Sequence, residues 1–143
     1  MTVTEMNADE NVIDRSMLPE SFRKVESKKS NLILEAGFLH LQGDYTAAAD
    51  RFALAAELES ALSDQSAEMG SWQKTFFHSF SAISCWSRAG DLHRALWLGE
   101  KLLRAENLSP SQRQQVSAYL DSLRSRMAQW MRLWDSAPAQ AAD

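Results

Sequence analysis

The chain has 143 residues, 45% of them apolar and 24% charged, with a net charge of −4, eight Gly and Pro in total and a single cysteine. That is the size of one domain with enough apolar side chains for one core; it excludes a turn-rich all-β design, an intramolecular disulfide and, for want of an uncharged apolar run of roughly 20 residues, a membrane span. The opening "MTVTEMNADENVIDRS" has neither the basic start nor the apolar core of an export signal, so an all-α protein of the cytoplasm is expected.

Residues 1–17 are acidic and poor in large apolar groups, too little to offset the entropy of ordering them, and are expected to form a disordered tail. Residues 1–20 carry Glu5, Asp9, Glu10, Asp14 and Glu20 against Arg15 alone, which leaves the body neutral. From Pro19, suited to a first helical turn, Phe22, Val25, Leu32, Ile33, Ala36, Leu39 and Leu41 recur at three- and four-residue steps. A long helix to Gln42 follows, continuous or broken near "SKKSN". Gly43 closes it and Asp44 caps the next. That second helix starts near residue 45 and is rich in small residues (Ala47, Ala48, Ala49, Ala53, Ala55, Ala56), which imply close helix approach.

Gly70 is the next breaker, and Ser71 the cap of an aromatic helix holding Trp72, Phe76, Phe77, Phe80, Ile83 and Trp86. Gly90 and Asp91 repeat the Gly43–Asp44 corner before a helix of Leu92, Ala95, Leu96, Leu98, Leu102 and Leu103. In "NLSPSQRQQ", Ser109 stands as N-cap, Pro110 at the first helical position and Gln112 where a capping box needs it. The helix it opens extends toward Trp134 with a stripe of Val116, Leu120, Leu123, Met127 and Trp130. The helical body is thus expected over 18–134, with 135–143 a disordered end.

Two Gly-Asp corners, at Gly43 and Gly90, stand 47 residues apart, and repetition of a helical hairpin points to a stacked architecture. Here the sequence resembles the tetratricopeptide repeat (TPR) family, built of units of about 34 residues. Gly43-Asp44-Tyr45 match the turn, Ala48 and Ala55 the small places, and Phe52 the large aromatic between them. In the first helix Leu32, Ala36 and Leu39 fit, while Glu35 stands where an aliphatic residue is usual. The second unit keeps Gly90, Asp91, Ala95 and Trp86, but has Gly99 in the aromatic place and Ile83 in a small one. The spacing exceeds the family period by about 13 residues, so the second helix or its following loop must be longer. The resemblance covers residues 29–107 and implies a right-handed α-α superhelix of two degenerate TPR-like hairpins plus a long C-terminal capping helix. A generic helical bundle shares the Gly corners and the alanines.

No catalytic, cofactor or metal site is expected. His40, His78 and His93 lie in three separate segments without ligand spacing, and no phosphate loop, serine elbow or Glu-x-x-His motif occurs. Cys85, between Ser84 and Trp86 in an apolar helix, reads as a packing residue. Nine Lys/Arg against four Asp/Glu make residues 74–134 mildly basic, yet without a dense cluster a nucleic-acid surface is not favoured. Five tryptophans read mostly as core, while Trp130 and Trp134, one helical turn apart, also suit a docking stripe.

In the TPR family the first helix of each hairpin lines a groove for a partner's peptide or helix. Carried over residue by residue, the resemblance selects Ile33, Gly37, His40 and Leu41 from the first unit, and Phe77, Phe80, Ser84, Ser87 and Arg88 from the second. The carboxylate-clamping pattern of some relatives is absent, because Ile33 and Gly37 stand there, so the implied partner is a protein presenting an apolar or amphipathic segment. The function expected is an adaptor or chaperone-like interaction module. The alternative is a subunit of a larger assembly, or a homodimer, docking through the Trp-bearing last helix; a helical enzyme or ligand-binding bundle comes third.

Overall fold

Three of the four corners of the chain are one device used three times. In the computed structural model, which describes residues 18–136, Gly43, Gly70 and Gly90 have φ of 83°, 75° and 85°, left-handed values that glycine adopts without penalty. Each closes its helix by a paired backbone motif. At the first corner Gly43 N–H donates to His40 O and Asp44 N–H to Leu39 O, both at 3.0 Å; Ser71 and Asp91 repeat the second bond to Ser66 O and Trp86 O at 3.0 and 2.9 Å. The residue after each glycine then starts the next helix: Asp44 accepts from Ala47 N–H, Ser71 from Lys74 N–H and Asp91 from Arg94 N–H.

These corners join α1 (Glu20–Leu41), α2 (Tyr45–Glu68), α3 (Trp72–Arg88) and α4 (Leu92–Leu103). The last helix, α5 (Pro110–Asp135), opens on the expected capping box: Gln112 N–H donates to Ser109 Oγ at 3.1 Å, and Ser109 N–H to Gln112 Oε1 at 3.0 Å. Among the described residues there is no strand, so the all-α expectation holds. The acidic tail expected over 1–17, and the expected end from residue 137 on, lie outside the described residues.

α1 is unbroken through "SKKSN". The extra spacing between the Gly-Asp corners lies in α2, which has 24 residues against 12 in α4.

Consecutive helices form antiparallel hairpins, and alternate helices lie parallel. Trp72 Nε1–H donates to Gln112 Oε1 at 3.1 Å, Phe80 meets Tyr119 at 5.4 Å between ring centroids, and an Arg126 guanidinium N–H donates to Ser87 Oγ at 3.1 Å. Those pairs keep a nearly constant offset along both chains, so α3 and α5 run side by side in register. Glu26 and Lys29 of α1 meet Lys74 and Phe77 of α3 with the same sense. α1, α3 and α5 thus make one layer, with α2 and α4 behind it. The largest apolar cluster, with Ala55, Ile83, Trp86, Ala95, Val116, Leu120 and Leu123, is drawn from α2 through α5. Two smaller clusters, Leu18–Phe22–Leu62 and Ala36–Ala48–Phe52, zip α1 onto α2. Each fully buried Phe or Leu contributes about 1.5–3 kcal/mol.

A candidate partner-binding cleft

α1 turns Ala36 inward against Ala48 and Phe52, and the helical period then sends Leu34, Phe38 and Leu41 outward. They are among the most exposed apolar side chains, Leu41 at 85%. They form one wall of a cleft of about 880 Å³ whose lining also takes in Ile33, Gly37, His40, Phe52, Ser87, Arg88, Gly90 and Arg126. The C-terminal end of α3 makes its floor, and α5 reaches in with Arg126.

Among the described residues, no Asp or Glu lines this cleft. The Arg88 guanidinium lies over the Phe52 ring, 5.7 Å from its centroid, and Arg126 is held by the Ser87 hydroxyl. Both cations are therefore positioned by neutral partners. His40 meets Tyr45 edge to face at 4.9 Å at the rim.

Of the residues that the TPR resemblance selects, Ile33, Gly37, His40, Leu41, Ser87 and Arg88 line this one cleft. Phe77 is exposed near the other end of α3, with Lys29 5.9 Å above its ring. Phe80 stacks on Phe76 and meets Tyr119 of α5, so its ring is spent on the α3–α5 contact. Ser84 is half-buried and outside the cleft lining. Trp130 and Trp134 stack at 5.8 Å and are 63% and 71% exposed. They follow Arg126 at four-residue steps, on the stretch of α5 that overshoots α3.

A second polar constellation escaped the sequence reading. Glu59 of α2 is wholly buried between Lys29 of α1, at 3.3 Å, and His78 Nδ1 of α3, at 3.1 Å. Glu26 adds contacts to Lys74 at 3.6 Å and to His78 Nε2 at 3.7 Å. The second distance is too long for a hydrogen bond, and Glu26 Oε1, Glu59 Oε2 and His78 Nε2 have no such partner among the described residues. The signal was present in the spacing: Glu59 continues the buried stripe Phe52, Ala55, Ala56, Leu62, a carboxylate at an apolar place. Among the described residues no group of three His, Cys, Asp or Glu is arranged for a metal ion; the Lys29 ammonium supplies the positive charge beside Glu59.

Cys85 is a free, buried thiol. Burial, reinforced by the Glu59 carboxylate against the opposing pull of Arg88 and Lys29, pushes it up to about 11. It keeps its proton at neutral pH, where a nucleophile needs the thiolate.

No described helix is long and apolar enough to cross a membrane. No protein-family model, curated protein or solved structure matches the chain.

Proposed function

We propose that the protein is an interaction module, an adaptor or chaperone, that holds an apolar or amphipathic segment of another protein in the cleft between α1, the end of α3 and α5. The observation that carries this reading is the joining, in one concave site, of an exposed apolar wall, Leu34, Phe38 and Leu41, to two cations that face no carboxylate among the described residues. An apolar wall with a few placed polar groups is how helix-binding grooves combine affinity with orientation. The three repeated corners and the parallel α1–α3–α5 layer favour the finer description, a right-handed superhelix of two TPR-like hairpins with α5 as the cap. A single, free cysteine, Cys85, fits a reducing compartment such as the cytoplasm. Leu34→Ser with Phe38→Ser should abolish partner binding in a pull-down with the native partner while leaving the melting curve intact; undiminished binding would sink the reading.

A second reading is favoured by the Trp130–Trp134 stack, which with Met131 and Leu133 leaves the end of α5 uncovered. In it, α5 docks permanently into an assembly or onto a second copy. Light scattering separates the two, since a monomer unchanged by Trp130→Ser and Trp134→Ser removes the homodimer.

A further inference from the structure

Resting on the reading of the cleft as a partner site, we propose that its occupant is an amphipathic helix of a second protein, acidic beside its apolar stripe, which crosses α1 at Gly37. Three independent observations lead there.

Gly37 sits in the middle of a helix, where glycine is less stable than alanine. A Cβ added to it would meet nothing within 4 Å, so no neighbour within the described residues uses the gap. Gly99 is the contrast, because there a Cβ would strike Leu120. The fold explains Gly99 and does not explain Gly37; a helix laid across the cleft does, by bringing its backbone close at that point. The wall around the gap, Leu34, Phe38 and Leu41, repeats at four and then three residues, the ridge spacing that receives a helix.

Charge gives the sign of the partner. Elsewhere on the surface Arg51 meets Glu35, Arg94 meets Asp91, and Arg124 meets Glu100 and Asp121, while Arg23, Arg104, Arg113 and Arg132 lack such a pair among the described residues but lie outside the cleft. Arg88 and Arg126 have no carboxylate within ion-pair distance among the described residues, and both line the cleft beside His40. A helix with Asp or Glu beside its anchors supplies what they lack. A second copy of the chain fits less well, since beyond Arg124, which already meets Glu100 and Asp121, the exposed end of α5 carries Arg126 and Arg132 against Asp135 alone and would bring like charges together.

The test is a display library of helices of about 18 residues, with Leu or Met fixed at the anchor places and acidic, basic and neutral residues drawn equally beside them, selected on the whole protein. Expected are recovered helices enriched in Asp and Glu, whose binding falls at least tenfold in Arg88→Glu with Arg126→Glu. Gly37→Ala should raise the melting midpoint by a few degrees yet weaken binding severalfold, and Gly37→Leu should abolish it; a Gly37→Ala protein that binds as well as the parent overturns the crossing point. Recovered helices that need Leu34 and Phe38 but show no acidic enrichment overturn the acidic partner and leave the cleft reading standing. No recovered helix, or binding indifferent to Leu34→Ser and Phe38→Ser, sinks both. A dimer dissolved by Phe38→Ser, or binding to vesicles of anionic phospholipid lost in Arg88→Glu with Arg126→Glu, assigns the cleft to another occupant and overturns the proposal.

Discussion

At Cys85 the protein ties a proton to its fold. The thiol moves from 9.0 to about 11 on folding, so between those values the native state holds a proton that the unfolded chain has released. Its stabilising contribution is complete below about pH 9 and is lost as pH rises toward 11. At about 1.4 kcal/mol per unit, the full loss is about 2–3 kcal/mol. Urea unfolding at pH 8 and pH 11 should show wild type losing that much more stability than Cys85→Ala; equal losses would remove Cys85 as the cause. Glu59 behaves differently, because the cost of its loss lies in the partners it leaves behind. Glu59→Ala strands Lys29 and leaves His78 Nδ1 without its partner, and a cost of about 3–5 kcal/mol is expected. Lys29→Met combined with Glu59→Leu removes both charges and should cost less than Glu59→Ala alone, as read by a double-mutant cycle. A double variant as damaged as the single would show that packing, not charge, governs the site.

Elements were legible where their causes are local. Gly-Asp and Gly-Ser corners and the Ser109–Gln112 box close through bonds within a few residues of themselves, so the sequence carries them openly. The continuity of α1 is not local: Lys29, inside "SKKSN", is anchored by Glu59 from another helix. Phe80 was equally illegible, since its ring is covered by Tyr119 and only the path of α5 reveals that. Gly99, an oddity against the family pattern, has its reason in the same helix. α4 and α5 approach so closely there that Leu120, fully buried, occupies the space a side chain would need. Gly99→Ala should therefore destabilise by about 1–3 kcal/mol despite alanine's better helix propensity, measurable as a lower urea midpoint. Gly99→Ala paired with Leu120→Ala should recover part of the clash but open a cavity elsewhere.

Over the whole molecule, the layered plan concentrates burial in the middle and leaves the end of α5 bare. From Arg124 on, α5 has only Met127 partly buried. Hydrogen exchange should accordingly be fastest there and slowest in α2 and α3, which share the most intimate helix pairing and the charged cluster; uniform protection along α5 would show that its end is covered in solution. The cleft belongs to this scale too, which is why the sequence reached six of its residues only through a resemblance and reached Arg126 not at all. The extensive helix contacts all join helices adjacent in the chain, and this has a bearing on how the protein is made. Contacts so local favour rapid folding, and a chain emerging from the ribosome N-terminus first can settle in the same order. The Phe22–Leu62 and Lys29–Glu59 contacts need only α1 and α2. His78, 19 residues after Glu59, adds the tie from α3 to that hairpin.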